Sequence, residues 1–175
     1  SDIVNFPWPD PDDPGLIRGM RERARYLKEE TDYAVVLHTA DVCVHTSQYM
    51  RGFADWYMDF RLHPDLIGAL LDAILELRME VTRRALIEVA DYIDVVSLSD
   101  DVADQRGPQL SPALFRQFIK PRFARYINLV RTYTDAPILF HSCGSVYKLL
   151  PDFIEVGINA IHPVQVTAAD MDTAR

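Results

Sequence analysis

Four short apolar runs, separated by stretches of helical periodicity, constrain this chain more than any other feature. They are Tyr33–Leu37, Ile93–Leu98, Ile138–Phe140 and Ala160–Ile161. Continuous apolar runs of this length suit parallel strands buried on both faces. Between them lie three helical patterns. Residues 65–89 carry a stripe of Leu66, Ala69, Leu70, Ala73, Leu77, Val81 and Ala85, with Pro64 just ahead of it, where a proline is tolerated. A second pattern opens with Ser111 as N-cap and Pro112 in the first turn, and runs to about Tyr133. Pro121 sits too deep for its first turn and predicts a break or kink. A third, short helix is expected from Val146 to Glu155, stopped by Gly157.

Strand and helix therefore alternate, which implies a parallel sheet with right-handed crossovers. A doubly wound sheet is one solution and a (β/α)8 barrel the other. A full barrel needs about 250 residues; this chain has 175, and its four βα units amount to half of one. Ahead of the first strand, residues 6–15 hold four prolines and read as an extended lead-in, followed by a surface helix over 15–30. No repeat or linker divides the chain, so it reads as one domain.

Composition narrows the partners. There are 26 acidic against 18 basic side chains, a formal net charge of −8. A phosphate-binding groove needs concentrated positive charge, so nucleic acid is excluded and a small-molecule substrate favoured. Two distant cysteines make no disulfide framework, which points to a reducing, cytoplasmic setting. No apolar run approaches the roughly 18 residues of a membrane helix, and no secretory signal is visible.

In both parallel architectures ligands bind at the carboxyl ends of the strands. The four runs end in His38-Thr39, in Ser99-Asp100-Asp101, in His141-Ser142-Cys143-Gly144, and in His162-Pro163-Val164-Gln165. His141 and Cys143 stand two residues apart on a strand end, so both project to one side. Imidazole and thiolate together are zinc ligands, and a catalytic zinc needs three protein ligands and an open position. The competing reading is a core histidine and a small buried cysteine. Adjacent carboxylates point to opposite sides, so one of Asp100 and Asp101 is expected in the pocket as general acid or base, or on a substrate hydroxyl or amine. The alternative for this pair is a turn or helix cap. Arg106 either holds a substrate carboxylate or pairs with these aspartates; pairing is slightly favoured. His38 and Gln165 are candidate substrate contacts, and His162 is placed to turn inward. His45 and His63 read as solvated, Cys43 as packing, and Trp56 and Tyr57 as core.

Taken together, these motifs resemble the uroporphyrinogen decarboxylase superfamily, nearest its branch of zinc- and corrinoid-dependent methyltransferases. The likeness rests on residues 6–14, Asp94–Asp101 with Ser111–Pro121, His141–Ser145, and Glu155–Gln165 with Met171-Asp172. It implies a partial (β/α)8 barrel spanning residues 1–175, with the site at the strand ends. In the methyltransferase branch a His-x-Cys pair like His141 and Cys143 binds Zn2+, and a later Cys completes the set. The resemblance finds no counterpart of that Cys in this sequence, so the third ligand stays unassigned. The implied reaction moves a methyl group from a methylated corrinoid, carried by a partner protein, to a thiol-type acceptor. Decarboxylation of a tetrapyrrole in haem biosynthesis is the alternative, with Asp100 or Asp101 on the pyrrole nitrogens. An inactive truncated domain is the third reading. Methyl transfer leads because His-x-Cys has a metal role and no decarboxylation role. A half barrel exposes sheet edges and apolar faces, so a homodimer or swapped assembly is expected.

Overall fold

The computed structural model describes residues 2–172. In chain order the elements are α1 (Asp2–Asn5), α2 (Met20–Glu30), β1 (Val36–Asp41), α3 (Val44–Arg51), α4 (Phe53–Leu62), α5 (Pro64–Val89), β2 (Val95–Ser99), α6 (Pro112–Leu114), α7 (Lys120–Arg131), β3 (Ile138–His141), α8 (Leu150–Val156) and β4 (Ala160–His162). The four strands form one parallel sheet in the order β1-β2-β3-β4. The parallel sheet is the one the alternation predicts, and of its two solutions the α/β partial (β/α)8 barrel is the one the resemblance implies.

β1 begins and ends later than the apolar run. Tyr33 and Ala34 lie outside it, and His38 to Asp41 belong to it. Asp94 sets the start: its carboxylate accepts the Val35 N–H while its own N–H donates to the Val35 carbonyl. β1, at the sheet edge, is also not buried on both faces. β1 alternates, with Leu37 and Thr39 buried against helices and Val36, His38 and Ala40 exposed. β2 is buried on both faces at Val96, Ser97 and Leu98, so the face that would line a closed barrel is open at the edge strands β1 and β4.

The long helix forms where its stripe predicts, but the buried face is turned. Ile67, Leu71, Ile74 and Leu75 are the most deeply buried residues of its first half, whereas Leu66 is exposed. α5 packs on α2, α4 and α7 at once, so it buries a wider arc than a single stripe. At Ser111 the hydroxyl accepts the Leu114 N–H, the expected N-cap. The break expected at Pro121 is a π-helical segment, Phe115–Ile119, in which the Lys120 N–H reaches back to the Phe115 carbonyl. Pro121 then falls in the first turn of α7, where a proline is tolerated. Gly157 ends α8 at φ 95°, as its left-handed C-cap.

Trp56, Phe123, Phe140 and Phe153 are fully buried, and edge-to-face pairs link Phe123, Phe140 and Phe153. Cys43 is buried packing, as expected, and Tyr57 sits half-exposed beside the core. Among the described residues, no helix is long and apolar enough to cross a membrane.

Candidate metal centre

The sheet register sets the site. Ser99, His141 and His162 are neighbours across β2, β3 and β4, at the carboxyl ends of their strands. One step earlier, His38, Ser97, Leu139 and Ala160 form the next row on the same face. The site residues therefore crown a ladder of inward-facing positions, the usual place for barrel chemistry.

The two aspartates after β2 divide as the pleat requires. Asp100 is fully buried. Its Oδ2 accepts the N–H groups of Val42, Cys43 and Val44, and its Oδ1 that of His45. Burial pushes this carboxyl up to about 6, with the N–H groups of Cys43, His45 and Val44 pulling the other way. Asp100 thus anchors the start of α3 to the end of β2 and also satisfies orphan donors at that helix terminus. Asp101 turns to the open side. Its Oδ1 accepts the Cys143 N–H at 2.7 Å and lies 3.8 Å from His141 Nε2. Its Oδ2 lies 3.5 Å from His45 Nε2.

His141 Nε2 stands 3.7 Å from Cys143 Sγ. One ligand atom from each of Asp101, His141 and Cys143 falls within 4.8 Å of the others. Zinc bonds of roughly 2.0–2.3 Å in a tetrahedron put ligand atoms roughly 3.3–3.8 Å apart. The separations from His141 Nε2 to Cys143 Sγ and to Asp101 Oδ1, 3.7 and 3.8 Å, match that edge length, and nitrogen, sulfur and oxygen are all zinc donors. The donor set therefore fits the metal that the resemblance implies. Burial, then the neighbouring Asp101 charge and its hydrogen bond, push the Cys143 thiol up. A bound cation reverses that balance.

The loop after Cys143 is held closely. Gly144 adopts φ 87°, and its N–H donates to Gln165 Oε1. The Gln165 amide in turn donates to Gln105 Oε1, and the Ser145 N–H to the Asp104 carbonyl. On the open side, His141 Nδ1 and His162 Nδ1 are 2.9 Å apart.

Of the residues singled out in the sequence, Asp101, His141 and Cys143 come together. Gln165 braces their loop from 2.8 Å. His38 lies one row below, exposed, with Nδ1 3.2 Å from Ser97 Oγ. Arg106 does not pair with the aspartates: it is exposed, and its backbone N–H donates to Asp104 Oδ1. No ion pair of its guanidinium is found among the described residues, because the 104–107 turn carries it outward. His45, expected to be solvated, instead faces Asp101. The Asp100 cap, a tertiary contact, brings the start of α3 there, with Asp41 Oδ2 accepting the Thr46 N–H as a second tie. Its one sequence signal is a histidine four residues past Asp41, just after a strand end.

No curated protein sequence matches the chain. A solved structure described as a methyltransferase from Methanosarcina mazei has a TM-score of 0.59 and 21% sequence identity with it. That likeness covers 81% of this chain and 40% of the other, so the chain spans about two fifths of that protein's length. At such identity the likeness shows the fold alone. The sequence profile of the family described as Uroporphyrinogen decarboxylase (URO-D) matches residues 2–173, nearly the whole chain. The protein therefore belongs to the uroporphyrinogen decarboxylase family.

Proposed function

We propose that this chain carries a zinc site for methyl transfer, from a methylated corrinoid on a partner protein to a thiol-type acceptor. The observation that carries this reading is the convergence of Asp101, His141 and Cys143 within 4.8 Å at the ends of two adjacent strands. Asp101 fills the third-ligand position that the sequence left unassigned. When bound, zinc lowers the pKa of a coordinated thiol and presents it as thiolate at neutral pH.

The chain's own residues do the positioning. The Cys143 N–H fixes the Asp101 carboxylate, and Gln165 fixes the Gly144 backbone behind Cys143. His38, exposed and backed by the buried Ser97 hydroxyl at 3.2 Å, offers a polar contact to an acceptor. Asp100 stays out of the chemistry, since both its oxygens are committed to backbone donors. The open sheet face, with its unpaired β1 and β4 edges among the described residues, supports self-association.

The test is zinc content of the purified chain and of Cys143→Ala and Asp101→Ala variants. Close to one zinc per chain, lost in both variants, is the expected result. A wild-type chain without zinc, or a Cys143→Ala chain that keeps it, overturns the reading. Decarboxylation of a carboxylated tetrapyrrole, with Asp101 as the carboxylate on the open side, then takes its place.

A further inference from the structure

The contact between His141 and His162 carries a consequence for the metal site. Their Nδ1 atoms are 2.9 Å apart, with ring centroids at 5.1 Å and planes tilted by 38°. The strand register makes this pairing, since His141 and His162 are direct partners on β3 and β4. One proton fits between two ring nitrogens at that distance, so one ring donates and the other accepts.

The two assignments have opposite effects. If His162 donates, the neutral His141 ring keeps its proton on Nε2. That proton then points toward Cys143 Sγ and Asp101 Oδ1, 3.7 and 3.8 Å away, and blocks coordination. If His141 donates from Nδ1, its Nε2 lone pair faces those two atoms and is free to bind a metal. Ligating histidines are commonly held in the required tautomer by an acceptor at the far nitrogen. Here no carboxylate or carbonyl is found at His141 Nδ1 among the described residues; the acceptor is a second imidazole.

We infer that His162 is a positioning residue, whose Nδ1 accepts the His141 Nδ1–H and so selects the tautomer that binds metal through Nε2. The inference rests on the metal-site reading above. His162 itself supplies no ligand, and its exposed position means that its replacement leaves the core intact.

The probe is Co2+, titrated into the metal-free chain and followed by cobalt–thiolate absorption. His162→Phe keeps a ring but has no acceptor, and its dissociation constant is expected to rise by about 10–100-fold. His162→Asn offers an amide oxygen where the imidazole Nδ1 stood, and its dissociation constant should stay near wild type. A purely structural role predicts no such rescue. Ring 15N spectra of the zinc-loaded wild-type chain should place the shared proton on His141 Nδ1. Equal cobalt affinity in wild type and His162→Phe overturns the inference and leaves the metal site standing. A shared proton found on His162 Nδ1 in the zinc-loaded chain does the same. A wild-type chain with no cobalt–thiolate band overturns the metal site, and the inference with it.

Discussion

Replacing Gly144 by alanine tests how tightly the metal loop is built. Two penalties add at this position. The backbone sits at φ +87°, and an L-residue in the left-handed region costs roughly 1–2 kcal/mol. The new Cβ would also lie 2.5 Å from the Asp104 carbonyl oxygen, 2.8 Å from its carbon and 2.9 Å from the Ala103 carbonyl carbon. All three are backbone atoms, so no rotamer change relieves the contact, and overpacking of this kind costs about 1–3 kcal/mol. The sum is about 2–5 kcal/mol. Gly157→Ala is the control, because φ there is +95° but the nearest atom, Ile127 Cγ2, is at an ordinary 3.5 Å. Only the first penalty applies to it, roughly 1–2 kcal/mol. Urea unfolding with a slope of about 2 kcal/mol/M should lower the midpoint by about 1–2.5 M for Gly144→Ala. The control should lose about 0.5–1 M on the same slope. Because Asp104 follows Asp101 closely and accepts the Ser145 N–H, the displaced loop also shifts Asp101 against Cys143. Zinc uptake should therefore fall in Gly144→Ala and persist in Gly157→Ala. Equal midpoints for the two variants, with zinc retained in both, would refute the reasoning.

Asp100→Ala leaves four backbone N–H groups without their acceptor. Hydrogen bonds to a charged group are worth roughly 1.5–3 kcal/mol each and are not additive. A loss of about 3–5 kcal/mol, seen as a melting point lower by roughly 10 °C or more, is expected; an unchanged melting curve would contradict the capping role. Asp152 gives a pH signature. Burial pushes its carboxyl up, but Arg116 and Lys120 outweigh that and hold it below its ordinary value. Its folded pKa is thus below the unfolded value of about 3.9. The stability it contributes is full above that pH and is lost as pH falls through the folded pKa. Midpoints measured against pH should drop less steeply below about pH 4 in Asp152→Asn than in wild type; parallel curves would exclude the effect. Light scattering should give twice the 20.0 kDa chain mass, and a monomer at high concentration would count against association through the open sheet face.

The division between what could and could not be read in advance follows the range of the interactions. Periodicity is local, so β3, β4 and α5 stand within a residue of where the apolar patterns place them and β2 starts two residues late, and the Ser111 cap and Gly157 stop are short-range chemistry. The His141–Cys143 pair was legible for the same reason, as i and i+2 on a strand end. Asp101 over Asp100 was not, because the sequence says only that the two diverge; which one faces the site depends on α3, whose first N–H groups claim Asp100. The same contact helps decide His45, whose one local signal is its place just after a strand end and whose approach to Asp101 depends on its helix being pinned to β2. The pairing of Arg106 with the aspartates is absent for the complementary reason: proximity in sequence suggests a pair, but a tight turn at Asp104 directs the chain outward.

The Asp100 cap therefore links fold and site more directly than the ligands themselves do. One buried carboxylate ties the first turn of α3 to the end of β2. Its neighbour Asp101 is then fixed within reach of His141, Cys143 and His45. A rigid, satisfied acceptor behind the cluster lets a half-buried donor set keep its geometry without deep burial. A variant that loosens the cap, such as Asp100→Asn, should consequently weaken metal binding although it removes no ligand. The loss should come with weaker protection of the 42–45 amides against hydrogen exchange, because those N–H groups are the ones released. Metal affinity unchanged while these amides exchange freely would separate the two functions and show that Asp101 is held by its contact with the Cys143 N–H alone.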